Sequence, residues 1–210
     1  MSNNILKLYY FNLRARAELI RLIFVAAGRA WNDIRIEFTK WPEYKPKMIL
    51  GQCPLLELPD GTQIPQSLSI ARYIAHETGL AGTDNLESAK IDAVVDTQRD
   101  MNEIFHTKVL FEKDENKKSE ELEKFLANDL FKYVNQLMTL KKAYSTDTNY
   151  FVGNKLSWAD LYVYLSIERV IKAAPQMKTQ LDNHFKDTFD VINNNQNIKK
   201  YFNERPDTPF

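Results

Sequence analysis

Cysteine is almost absent, and Cys53 is the single thiol in 210 residues. No intrachain disulfide can form, and a reducing compartment suits such a chain. Histidine is nearly as scarce: His76, His106 and His184 lie far apart, without the spacing that brings imidazoles onto one metal ion. Net charge is missing too, with 28 Lys and Arg against 28 Asp and Glu. That balance gives no field to attract nucleic acid or an anionic membrane. No apolar run reaches the length of a membrane span, and Met1-Ser-Asn-Asn-Ile5 lacks the apolar core of a signal peptide. Repeats and low-complexity tracts are absent as well. The expectation is a cytoplasmic protein with neither nucleic-acid nor membrane partners. Its length allows one large domain or two small ones with a real core.

What is present is organised around the stretch from Gly51 to Ala75. Leu55–Leu58 reads as a strand, Asp60-Gly61 as a tight turn whose residues both accept positive φ, and Gln63-Ile64 as a short returning strand. A helix opens at Ser67 and carries Leu68, Ile70, Ala71, Tyr73 and Ile74 on its apolar face. The Ser67 hydroxyl can cap free backbone donors there. A Gln66-Ser67 pair at a helix N-terminus makes a carboxylate cradle, because free N–H groups and partial positive charge meet two polar side chains. An ordinary ββα unit with a routine cap fits the same residues. Pro54 stands just before the first strand, where a residue without an N–H costs no ladder bond.

Upstream, Leu6–Phe11 alternates as a strand, and Asn12-Leu-Arg14 turns into a helix that Gly28 ends. Trp31–Phe38 alternates again, and Trp41–Lys45 reads as a loop or short helix. A crossover helix makes the first two strands parallel, and the hairpin adds an antiparallel pair. That is a thioredoxin-like sheet. Gly79–Asp84 is the one linker-like change in composition, which sets the domains at residues 1–80 and 84–210. The second part reads as all helix. Asp84 and Glu87 form a capping box for a helix to about Glu112, the charged stretch 112–121 is expected to be an exposed turn, and Leu122–Met138 keeps the spacing of a second long helix. Ser157-Trp-Ala-Asp160 is another capping box, Pro175 stops its helix, and the tail holds one or two short helices before Pro206 and Pro209.

Thioredoxin-like redox enzymes place a reactive Cys at the start of the first helix, where the dipole lowers its pKa. The turn here is Tyr10-Phe-Asn-Leu-Arg14, which has no thiol, and Cys53 beside Pro54 fits packing better than nucleophilic work. Thiol chemistry on this scaffold therefore needs a ligand that brings the thiol. Tyr10 sits where the missing Cys would act, and its O–H suits donation to a bound thiolate, a bond worth about 1.5–3 kcal/mol. Tyr9 lies on the opposite strand face, and periodicity alone does not choose between the two.

These residues carry a family resemblance. Tyr10–Arg21, Trp41-Pro-Glu-Tyr-Lys45, Pro54, Gln66–Tyr73, Asp92–Thr97 and Ser157–Asp160 resemble sigma-class cytosolic glutathione transferases and the related glutathione-dependent prostaglandin D synthases. The resemblance spans nearly the whole chain. It implies an α/β thioredoxin-like N-terminal domain plus an all-α C-terminal helical domain, which is the cytosolic glutathione transferase fold. It further implies a homodimer, glutathione as co-substrate, and small hydrophobic electrophiles bound against the helical domain for conjugation and detoxification. By motif, Tyr10 is catalytic and donates to the glutathione sulfur, and Arg16 lies near that sulfur. Cys53 offers backbone groups to the cysteinyl part, and Pro54 is the cis-proline. Gln66 and Ser67 hold the γ-glutamyl carboxylate, while Trp41, Lys45 and Gln52 meet the glycyl end. Asp92, Asp96, Arg99, Asp100 and Glu103 share one helix face, a pattern that also fits a plain solvated surface. The resemblance puts that face at the dimer interface, with Asp100 reaching the partner subunit's glutathione. Arg99 replaces an acid of a divalent-ion cluster, so no metal site is expected. Ile104-Phe-His-Thr107 lacks the Trp of the prostaglandin synthases, which argues against their isomerisation. Isomerase or peroxidase chemistry at the same site and a non-enzymatic, crystallin-like role remain the alternatives.

Overall fold

The computed structural model describes residues 5–208, so the readings that fall on Met1–Asn4 and on Pro209 lie outside it. The described chain groups into two units, residues 5–81 with 192–208, and residues 82–191. The tail assigned from sequence to the helical domain thus belongs with the first unit. The cause is chemical. Buried Glu18 accepts the Tyr201 hydroxyl at 3.1 Å and Arg205 Nη1 at 2.8 Å, and Arg14 donates to Thr208.

In the first unit β1 (Lys7–Phe11), β2 (Asn32–Ile36), β3 (Leu55–Glu57) and β4 (Gln63–Pro65) form one sheet in the order β2-β1-β3-β4. β1 and β2 run parallel because α1 (Glu18–Ala26) crosses over between them, and the remaining pairs are antiparallel. Gly28, at φ 63°, closes α1, with the Gly28 and Arg29 N–H groups returning to the carbonyls of Val25 and Phe24. Strand alternation sends Leu8 and Tyr10 to one face of the sheet and Tyr9 and Phe11 to the other. The second face packs Tyr9, Phe11, Trp41 and Tyr44 on Ile36, Met48 and Leu55. α1 and α3 (Ser67–Glu77) pack on each other, with Ile20, Ile23, Ile70 and Ile74 fully buried. β2 stops at Ile36, short of the predicted Phe38, because Phe38–Lys40 coils into α2 (Trp41–Tyr44), and the Phe38 ring stacks on Phe11 at 4.5 Å. The hairpin turn also differs from expectation. Only Gly61 has positive φ; Leu58 accepts its N–H across Pro59-Asp60, a type I turn with a left-handed fourth residue.

The second unit holds α4 (Asn85–Phe105), α5 (Glu115–Lys124), α6 (Phe131–Tyr144), α7 (Trp158–Ala173) and most of α8 (Lys178–Asn194). α9 (Gln196–Glu204) completes the first unit. Asp84 caps α4 through the Glu87 N–H, but the Glu87 carboxylate turns to the Thr83 N–H and hydroxyl instead of closing a box. The box at Ser157 and Asp160 is complete. α5 occupies the charged stretch expected to be a turn. It is started by Asp114, which accepts from Asn116 and Lys117, and a helix polar on every side leaves no apolar period to read. The run predicted as one helix over Leu122–Met138 contains a wider-coiled π segment at Phe125–Leu130. α8 is long, not short. Among the described residues no helix is long and apolar enough to cross a membrane.

Candidate functional site

Tyr10 is the fourth of the five residues of β1, and only 7 % of it is exposed. The loop leaving β1 curls back over it, so that its hydroxyl accepts the Arg16 N–H at 3.4 Å. Among the described residues this is the hydroxyl's one hydrogen bond. Burial pushes the phenol above its ordinary pKa, and the Arg16 amide pulls the other way. Tyr10 therefore holds its proton at neutral pH and can give it to an incoming acceptor. Tyr9 points into the aromatic packing on the other face and leans on Glu57, its hydroxyl 3.5 Å from the carboxylate. The two tyrosines that periodicity left level are separated by their partners.

Ala15, between Arg14 and Arg16, is held at φ 33°, where side chains with a Cβ are rare. Arg16 itself is exposed. Cys53 is half-buried and close enough to Tyr10 to add to the upward push on its phenol, after burial. Burial pushes its thiol up to about 11, against the pull of the Phe11 backbone N–H. A thiol so weakly acidic stays protonated at neutral pH, which suits packing and not nucleophilic attack. The Cys53–Pro54 peptide is cis. Gln52 is exposed beside it, and the Lys45 side chain runs along Gly51, where an added Cβ would lie 3.6 Å from Lys45 Cε. Trp41 meets the Phe11 ring edge-on at 5.2 Å.

β3 and β4 pair Leu55 with Pro65, which carries Gln66 across from Pro54. Gln66 takes φ 75°, ψ 118°, and Ser67 is the first residue of α3. The expected Ser67 cap is absent, because a capping residue must precede the helix and Ser67 is already inside it. The first N–H groups of α3 thus have no side-chain cap, at the positive end of an eleven-residue helix. A strained non-glycine residue next to an uncapped helix start costs about 1–3 kcal/mol. Tyr10, Arg16, Cys53, Pro54, Gln66 and Ser67 all belong to the first unit, as do Trp41, Lys45 and Gln52.

Asp100 belongs to the second unit, exposed on α4, with its carboxylate 3.7 Å from Arg99. Arg99 also pairs with Asp96 at 3.3 Å. Arg21 escaped the sequence reading. It is fully buried, donates through Nε to Asp33 at 3.1 Å and through Nη1 to the Leu13 carbonyl at 2.6 Å, and its guanidinium lies 5.9 Å from the centre of the Tyr10 ring. A single arginine inside the apolar run Leu19–Val25 was the available signal.

Comparison with known proteins shows the family. Residues 6–76 match the family described as glutathione S-transferase, N-terminal domain, and residues 99–205 match glutathione S-transferase, C-terminal domain. Hematopoietic prostaglandin D synthase of Gallus gallus is 42 % identical over 156 residues, covering 74 % of each chain. Probable glutathione S-transferase 6 of Caenorhabditis elegans is 33 % identical over 215 residues, covering 97 % of this chain and 98 % of its own. A solved structure of monomeric Na-GST-3, a glutathione S-transferase from Necator americanus, superposes with a TM-score of 0.83 at 32 % identity, covering 98 % of this chain and 100 % of the other. The four-stranded mixed sheet, the helical second unit and the matches along both belong together, and the chain is a member of the glutathione S-transferase family.

Proposed function

We propose that this protein is a sigma-class glutathione transferase, in which Tyr10 stabilises the glutathione thiolate for attack on an electrophilic carbon. The observation that carries this reading is the direction of the bond at Tyr10, whose hydroxyl accepts from Arg16 and so has its proton to donate. The uncapped start of α3 supports the same reading. Its N–H groups, with Gln66 and Ser67, suit the γ-glutamyl carboxylate. Cys53 and Pro54 lie between these two features and suit the cysteinyl main chain, with Trp41, Lys45 and Gln52 for the glycyl end. Arg16 adds positive charge on the sulfur side.

The reaction follows from these parts. Donation from Tyr10 favours the thiolate, about 1.4 kcal/mol per pKa unit gained. The thiolate then attacks the electrophile, a carbon–sulfur bond forms, and the leaving group departs or a proton is taken from water. The helical unit supplies the electrophile-binding residues, and a homodimer brings Asp100 of one subunit to the glutathione amine of the other. The cytoplasm, where glutathione is kept reduced, suits this chemistry. A second reading, glutathione-dependent isomerase or peroxidase, draws on the similarity to the prostaglandin D synthase.

Purified protein assayed with glutathione against an aryl halide, a reactive aldehyde, a lipid hydroperoxide and prostaglandin H tests the assignment. Conjugation that needs Tyr10 is expected. Glutathione binding without turnover on any of the four would sink the enzymatic reading in favour of the crystallin-like one.

A further inference from the structure

The loop between β1 and α1 is held at Leu13, Arg14 and Arg16, and part of its anchorage comes from the far end of the chain. Arg21 donates to the Leu13 carbonyl, and the Arg14 carbonyl accepts the Glu18 N–H at 3.0 Å. The Thr208 hydroxyl accepts both the backbone N–H of Arg14 at 3.2 Å and its Nε–H at 3.3 Å. The Thr208 carbonyl takes a third bond, from Arg14 Nη2 at 2.5 Å. Thr208 is 7 % exposed, 194 residues from its partner. A hydroxyl with two lone pairs, both committed to one arginine, is more than a solvated tail requires.

The residue after Arg14 is the strained Ala15, and the residue after that supplies the N–H that meets Tyr10. We propose that Thr208 is a positioning residue for the Tyr10 hydroxyl, its hold on Arg14 keeping Ala15 at positive φ and the Arg16 amide aimed at Tyr10. This rests on the reading of Tyr10 as the thiolate donor. An alanine left to itself returns to negative φ, which swings the following N–H away. Donation by the Arg16 amide polarises the phenol and strengthens its own donation to sulfur. Loss of the Thr208 hold therefore weakens thiolate stabilisation without touching the groups that grip the peptide ends of glutathione.

The test compares Thr208→Val, which keeps the shape and loses the acceptor, with Thr208→Ser, which keeps the acceptor. Two quantities are read: amide hydrogen exchange at residues 14–16 in the ligand-free protein, and the pKa of bound glutathione from its thiolate absorbance. The valine variant is expected to exchange about ten-fold faster there and to raise the thiol pKa by about half a unit, with glutathione affinity unchanged. The serine variant is expected to match wild type in both. Ala15→Gly added to the valine variant is expected to bring the pKa part of the way back, since glycine reaches positive φ without strain. A valine variant with wild-type exchange and wild-type thiol pKa overturns the proposal, as does one that only melts earlier. Tyr10→Phe is run alongside: if it leaves the thiol pKa unchanged, the Tyr10 reading fails, and exchange at Arg16 alone then judges Thr208. Should the valine variant not fold, Arg14→Lys reads the same two quantities.

Discussion

The Tyr10 hydroxyl accepts the backbone proton of Arg16 at 3.4 Å, across six residues of chain. The direction of that bond sets what each group can do. An amide cannot take the phenol's proton, so the proton is left for a ligand. Tyr10→Phe is expected to raise the pKa of bound glutathione by about one or two units, the scale of a hydrogen bond to a charged group. Glutathione affinity should stay near wild type, because the proposed site assigns the peptide ends to other residues. Thiolate absorbance titrated on both proteins checks this, and equal pKa values would remove Tyr10 from the role.

Ser67 separates binding from stability. Its side chain makes no cap on α3. Ser67→Ala is therefore expected to weaken glutathione binding by about 1–2 kcal/mol while stability moves by about half a kcal/mol or less. Calorimetric titration and urea unfolding together read the two terms. A large loss of stability with intact binding would reverse the assignment.

Asp160 gives the helical unit a pH signature. It is fully buried and accepts the N–H of Phe151 at 2.8 Å and both the N–H and hydroxyl of Ser157. Burial outweighs these bonds and pushes its pKa up to about 6. The unfolded chain releases that proton near pH 3.9. Between roughly pH 4 and 6 the native state thus binds more protons than the unfolded state, and this group's contribution is fully present at the acid end and lost as pH rises through about 6. Asp160→Asn removes the slope and sets an amide N–H₂ against backbone donors. It is expected to cost about 1–3 kcal/mol. Urea midpoints of both proteins at pH 4.5 and pH 7.5 measure the slope, and an unchanged slope in the asparagine variant assigns it to another group.

Asp100 is expected to work in trans. Tyr10→Phe and Asp100→Ala homodimers should each be impaired, the second mainly at low glutathione. After subunit exchange, a mixed dimer holds one site with both defects and one with neither, given an isologous interface. Activity at low glutathione should then exceed the mean of the parents. A mixture no better than that mean, or a monomer in solution, leaves Asp100 as part of a solvated face paired with Arg99.

Much of the fold around the candidate site could be read from residues alone, because its signals are local. Asp60-Gly61 marks the hairpin, Pro54 the strand entry, and Tyr10 the place of an absent thiol. What stayed hidden depends on partners distant in sequence. Nothing near Gln66 announces φ 75°, since a glutamine carries no backbone preference for it. Arg21 breaks an apolar run, but its partners Asp33 and Leu13 emerge only when the loop folds. The reach of Glu18 to Arg205 spans 187 residues, far beyond any periodicity window. α5 was missed for the opposite reason: its stabilisation is all local, through Asp114 and the Lys118–Glu115 and Lys124–Glu121 pairs, with no apolar stripe to give it away.

The grouping of residues 192–208 with the first unit has a consequence for synthesis. A ribosome delivers the four strands and α1 early, yet Tyr201 and Arg205, the two hydrogen-bond partners of the Glu18 carboxylate, arrive only after the whole helical unit has emerged. Until then the carboxylate at the first residue of α1 has only Arg21 to meet, 3.6 Å away, and is short of its later mates. Such a chain has reason to stay loosely folded and to lean on chaperones, since burying an incompletely matched charge is unfavourable. The first unit, first to be written, is in this architecture the last to be finished.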